Sequence, residues 1–173
     1  MHYGEIKNCD IANGEGVRVS LFVSGCTHRC KGCFNQEAWD FDYGKPFDET
    51  VMDQILDLLK PGYIKGITYL GGEPLDPRNQ EGLSILSKKI KEAYPEKTIW
   101  CFTGYVLEQD ILTGRLGPLT EELLGHCDVL VDGPFIEAQK NLSLKFRGSE
   151  NQRLLDIKQS LAKRAPVLWE GSL

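Results

Sequence analysis

Val17-Arg18-Val19-Ser20-Leu21-Phe22-Val23-Ser24-Gly25-Cys26-Thr27-His28-Arg29-Cys30-Lys31-Gly32-Cys33 reads as a strand over residues 17–23 that runs into a loop with three thiols in eight residues. Three soft ligands this close, on a Gly-entered loop, can converge on one metal centre. Thiolates select zinc, copper(I) or iron–sulfur clusters. Structural zinc sites and electron-transfer clusters usually close with four protein ligands. Three cysteines, Cys26, Cys30 and Cys33, therefore point to a cluster with one iron left open to a small molecule.

The rest of the chain frames that loop. With 173 residues, 41% of them hydrophobic, the chain can bury a sizeable core, and a single domain over residues 1–173 is expected. A net charge of −5 leaves no basic surplus, so no direct nucleic-acid partner is expected. The opening Met1-His2-Tyr3-Gly4-Glu5-Ile6-Lys7 lacks the layout of a signal peptide, and no apolar run approaches the roughly 18 residues of a membrane span. The expectation is a cytoplasmic protein without a membrane partner. In that reducing setting, clustered cysteines read as metal-binding or redox-active rather than as disulfides.

Downstream, strands and helices alternate. Asp48-Glu49-Thr50 can cap a helix with Val51, Met52, Ile55, Leu56 and Leu59 on one face, stopped by Pro61-Gly62. Residues 64–70 form a second strand ending on Gly71-Gly72-Glu73-Pro74, and Leu83, Leu86, Ile90 and Ala93 mark a second helix. Residues 98–102 form a third strand, residues 119–124 a short helix and residues 129–131 a fourth strand. Residues 142–146 and 153–157 are weaker strand candidates, and 135–152 is the most polar and least regular segment. This order implies α/β architecture with four βα units and a mainly parallel sheet. A complete eight-unit barrel needs about 250 residues, so the sheet is expected to be curved and open, a partial βα barrel.

The distinctive loops all fall where strands end: the cysteines after the first, Gly-Gly-Glu-Pro after the second, Thr103-Gly104-Tyr105 after the third. That edge is the ligand face of parallel α/β sheets. A zinc knuckle with His28 as fourth ligand is the competing reading, but four ligands within eight residues strain to reach tetrahedral geometry. Cys9, Cys101 and Cys127 read as buried or partly buried thiols rather than ligands. Gly14-x-Gly16 precedes its strand, which argues against a dinucleotide loop. The histidines form no base–nucleophile pattern, and Glu121 and Glu122 suit a helix start.

The Cys-x3-Cys-x2-Cys loop followed by Gly-Gly-Glu-Pro resembles the radical S-adenosylmethionine enzymes. Asn13-Gly14-Glu15-Gly16-Val17-Arg18, Cys33-Phe34-Asn35, Asp132-Gly133-Pro134-Phe135 and residues 147–153 narrow the resemblance to the subgroup that activates anaerobic ribonucleoside-triphosphate reductase. The resemblance implies that Cys26, Cys30 and Cys33 hold three irons of a [4Fe-4S] cluster, with S-adenosyl-L-methionine on the fourth. It implies that Gly71, Gly72, Glu73 and Pro74 approach the methionine amino group through backbone carbonyls, and that Gly32, Cys33, Phe34 and Thr103 contact the cofactor. Many members place an aromatic residue just before the third cysteine, where this chain has Gly32; here Phe34 follows it. The reaction implied is glycyl-radical generation on the reductase, with a flavodoxin or ferredoxin as electron donor. The segment 132–153, with Phe135 and Arg147, is expected to line the opening for the protein substrate. A pyruvate formate-lyase type activase is the nearer alternative; a non-catalytic electron carrier or a zinc-stabilised interaction module is the alternative of another class.

Overall fold

The structure is a computed structural model that describes residues 1–171, so the last two positions of the expected 1–173 unit lie outside the described residues. Seven strands, β1 (His2–Asp10), β2 (Val17–Val23), β3 (Lys45–Pro46), β4 (Ile64–Gly71), β5 (Thr98–Phe102), β6 (Val129–Asp132) and β7 (Arg153–Asp156), make one mixed sheet in the order β3-β1-β2-β4-β5-β6-β7. The four central strands are parallel, β2 to β4 to β5 to β6. The strands beyond them run antiparallel: β1 on β2, β3 on β1, and β7 on β6. Four helices complete the fold: α1 (Glu49–Leu58), α2 (Pro77–Ala93), α3 (Thr120–Gly125) and α4 (Ile157–Lys163). Among the described residues no helix is long and apolar enough to cross a membrane.

Alternating strand residues build two layers. Val19, Leu21, Val23, Ile67, Tyr69, Ile99, Cys101 and Leu130 pack with Ile55, Leu83, Leu86, Ile90, Leu123 and Leu124 of α1–α3 into the main core. On the opposite face Trp100, Val129 and Val131 pack with Phe102, Phe146, Leu154 and Trp169. The helix starts follow the sequence signals. Asp48 caps α1 by accepting from Val51 N–H, and Asp76 caps α2 by accepting from Arg78 N–H, with Pro77 in the first turn.

Several expectations need correction. The polar opening is a nine-residue strand; its period-2 signal is weak because most of its side chains face water. Cys9 lies at the irregular end of that strand, is exposed and has φ 54, so it is no buried thiol. Cys101 and Cys127 are fully buried as expected. Residues 142–146 form a turn, because the Asn141 side-chain Oδ1 accepts from both Ser143 N–H and the Ser143 hydroxyl, an Asx-type turn that competes with strand pairing. Ile157 opens α4, which Asp156 caps by accepting from Gln159 N–H. Three helical crossovers link the parallel strands, not four βα units: after β6 the chain passes through the irregular segment into antiparallel β7.

Arg18 ties the sheet together at its centre. It is 1% exposed, yet all five of its N–H donors are engaged: with Thr68 Oγ1, Glu15 O, Thr98 Oγ1, Ile67 O and Thr98 O, at 2.8–3.1 Å. Burial lowers its pKa to about 10, which leaves it charged at neutral pH. The side chain thus crosses from β2 over β4 to β5, beside the Trp100 ring. Arg18→Met would strand several buried oxygens without a donor. It is expected to lower unfolding free energy by about 3 kcal/mol, measured by urea denaturation; a loss under about 1 kcal/mol would deny Arg18 this role.

Candidate metal centre and cofactor cleft

The end of β2 and the end of β4 are joined before the cysteine loop begins. Gly72 N–H donates to Val23 O at 2.7 Å and Glu73 N–H to Gly25 O at 2.8 Å. Asn79 Nδ2 bridges Ser24 O and Glu73 O. A Cβ on Gly72 would lie 2.6 Å from Gly25 O, and one on Gly71, which has φ +100, 2.8 Å from Val23 O. These glycines are therefore required first by the close approach of two backbones. On the other side of the loop, Gly25 N–H donates to Ala38 O and Cys26 N–H to Trp39 O.

The loop itself turns through left-handed backbone at Gly25, Arg29 and Gly32. Cys33 N–H donates to Cys30 O, and Asn35 N–H donates to Cys33 Sγ at 3.4 Å. Burial pushes the Cys26 thiol up to about 11, against the N–H groups of His28 and Arg29, which favour the thiolate. Burial also raises Cys30, opposed by the Phe135 N–H. That last contact joins the irregular segment to the cysteine loop.

Glu73, 1% exposed, is the hub. Its Oε1 accepts from Leu75 N–H at 2.8 Å and Thr103 Oγ1 at 2.7 Å; its Oε2 accepts from Gly104 N–H at 2.8 Å and faces His28 Nε2 at 2.7 Å. Burial disfavours a charged His28 ring, but the Glu73 carboxylate outweighs it and holds the pKa above its ordinary value. The ring also packs edge-on against Tyr105, 4.4 Å between centroids. His28 is thus committed to Glu73, which counts against its use as a zinc ligand.

Cys26, Cys30 and Cys33 all line one cleft of about 260 Å³, together with Phe34, Trp39, Gly71, Gly72, Glu73, Phe102, Thr103, Gly104, Phe135 and Gln152. Gly32 and Pro74 are not part of its wall; Pro74 is buried behind the turn. Phe34 is 67% exposed at the rim, 5.5 Å from the Phe135 ring. Arg147 does not line the cleft: it donates to Gln152 O and borders a separate groove with Phe146 and Trp169. Sequence reasoning missed Trp39, read His28 only as a rival zinc ligand and placed Gly104 only in the loop after the third strand, because their partners are distant in the chain or lie in backbone.

Among the described residues no three Cys, His, Asp or Glu side chains gather tightly enough for a single metal ion. A four-iron cube takes each thiolate on a different iron, so its ligands stand around a space rather than at a point. Three thiols on the wall of one cleft suit that group in donor type and number.

The comparisons agree with the site. Residues 12–155 match the family model of a 4Fe-4S single cluster domain. The chain is 45% identical over 154 residues to the anaerobic ribonucleoside-triphosphate reductase-activating protein of Haemophilus influenzae, covering 88% of this chain and 96% of that one. The namesake from Pasteurella multocida is likewise 45% identical over 154 residues, covering 88% and 95%. That of Enterobacteria phage T4 is 42% identical over 156 residues, covering 89% and 93%. With a cluster-domain match across the sheet and such identity over nearly the full length of these relatives, the chain belongs to the family of anaerobic ribonucleoside-triphosphate reductase-activating proteins.

Proposed function

We propose that this chain generates the glycyl radical of anaerobic ribonucleoside-triphosphate reductase by reductive cleavage of S-adenosylmethionine at a [4Fe-4S] cluster. The observation that carries this reading is the cleft, whose wall the three thiols share with Gly71, Gly72, Glu73 and Thr103. The relatives' names supply the protein substrate. The parallel centre of the sheet, with loops at its carboxyl ends, supports an open radical-SAM barrel. A flavodoxin or ferredoxin would supply the electron, in the cytoplasm.

Cys26, Cys30 and Cys33 would each hold one iron. Gly71, Gly72 and Glu73 would meet the methionine end of the cofactor through backbone, and Cys33, Phe34 and Thr103 its adenosyl end. When bound, the cluster would supply the single electron that cleaves S-adenosylmethionine to methionine, and the cofactor the radical character that ends on a glycine α-carbon of the partner. The chain's own residues orient and shield. Glu73 is a positioning residue, because its oxygens are taken up by protein donors. It holds the cysteine loop, through His28, against the end of β5, through Thr103 and Gly104. Phe102 and Phe135 exclude water from the inner wall, and the Phe34–Phe135 pair offers an apolar lip to a partner.

Four outcomes are expected. Anaerobically reconstituted protein should carry about four irons per chain and release 5′-deoxyadenosine when reduced with S-adenosylmethionine. Cys26→Ala, Cys30→Ala and Cys33→Ala should each reduce that release to background, while Cys101→Ala and Cys127→Ala keep iron at a packing cost of roughly 1 kcal/mol. Loss of iron from Cys101→Ala with retention in Cys33→Ala would overturn the ligand set. Glu73→Gln puts an amide N–H against one of four donors, so iron retention should fall several-fold and stability by about 2 kcal/mol; unchanged iron content would remove Glu73 from its positioning role. Phe135→Ala should lower glycyl-radical yield on the purified reductase more than it lowers cofactor cleavage without the reductase. Equal losses in the two assays would assign the ring to the cofactor alone.

A further inference from the structure

Among the described residues, one buried side-chain polar atom has no hydrogen-bond partner: Trp39 Nε1. Buried donors are nearly always satisfied, and an exception calls for an explanation, such as a group that gains charge only on metal binding. The indole lines the cleft together with Cys26, Cys30 and Cys33. It also borders the neighbouring groove, again beside Cys26. Its backbone is clamped to the first cysteine, since Cys26 N–H donates to Trp39 O at 3.2 Å. Its ring is held from the loop side by Arg29, whose guanidinium carbon stands 5.5 Å from the ring centroid. An indole nitrogen can only donate, so its partner must be an acceptor. Because Nε1 is closed to solvent, the acceptor must be an atom of the wall itself that gains charge on metal binding, and the ligating thiols, Cys26 first, are such atoms.

We infer that Trp39 is a positioning residue for the cluster, its indole N–H donating a hydrogen bond to a ligating cysteine thiolate, Cys26 first. The inference rests on the proposed iron–sulfur reading of Cys26, Cys30 and Cys33. A donor aimed at sulfur favours the more negative, reduced cluster and so raises its potential. The Arg29 cation over the same ring keeps the indole from rotating away and adds positive charge on the same side.

The test uses full-length, anaerobically reconstituted protein. In reduced wild-type protein grown with 15N-indole-labelled tryptophan, pulsed hyperfine spectroscopy should detect a nitrogen coupled to the cluster spin. Of the three tryptophans, Trp100 and Trp169 lie in the cluster on the sheet face, outside the cleft wall. In Trp39→Phe, iron and sulfide content should match wild type while the reduced fraction at a fixed potential near the midpoint falls about tenfold in its ratio to oxidised cluster, equivalent to about 59 mV for one electron. A full cluster with no coupled nitrogen in wild-type protein, or an unchanged potential in Trp39→Phe, would overturn the inference and leave the cluster reading standing. Failure of wild-type protein to take up iron and sulfide would overturn the cluster reading itself, and this inference with it. The wild-type hyperfine measurement decides the matter even where the variant does not fold.

Discussion

The buried Glu73 carboxylate is the constraint on which the reactive end of this molecule depends. Four donors converge on it from three segments: Leu75 on its own turn, Thr103 and Gly104 after β5, and His28 inside the cysteine loop. A buried anion without such partners would be expensive. With them it fixes three strand ends at one spacing. The loop that carries the thiols has left-handed backbone at Arg29, a conformation that persists only when its surroundings hold it. His28, the neighbouring residue, is where Glu73 takes hold.

A second buried charge does the corresponding work deeper in the sheet. Arg18 has every donor on a neutral oxygen from β4, β5 or the loop before β2. A cation spread over three carbonyls and two hydroxyls, and an anion fed by two backbone N–H groups, a hydroxyl and a ring nitrogen, are each satisfied without direct contact. Local geometry at each is set by backbone, which side-chain substitution elsewhere cannot easily shift. The edges of the sheet then bear less: β3 is two residues long and β1 is mostly solvated.

How much of this was readable follows from where the information sits. The parallel strands and the first two helices announce themselves through local period and caps, so β2, β4, β5, β6, α1 and α2 were legible. The cysteine loop was legible because three thiols in eight residues have few other uses. Strand β1 was not, since its pairing with β2 is made by backbone and its side chains face water. The turn at 142–146 hides behind apolar Leu142, Leu144 and Phe146; only Asn141 and Ser143 betray it. Glu73 was visible as part of a motif, but its occupation by protein donors was not, because Thr103, Gly104 and His28 reach it from 30, 31 and 45 residues away.

The thiols show the same division between what is built in advance and what is left for binding. Cys26 sits at about 11, so burial keeps it a neutral thiol at physiological pH, while a metal centre needs the thiolate. Cluster assembly must then expel that proton, and the energy for it comes from the iron–sulfur bonds themselves. The N–H groups of His28 and Arg29 already face the Cys26 sulfur, and that of Phe135 the Cys30 sulfur. The fold therefore supplies donors suited to the charged state before the charge exists. Such preorganisation is matched by the pinning of the loop at its entry, where Gly25 and Cys26 make backbone bonds with Ala38, Trp39 and Glu73. A loop free to relax would turn those donors toward each other's carbonyls, and the thiols would lose the polar surroundings that make ligation favourable.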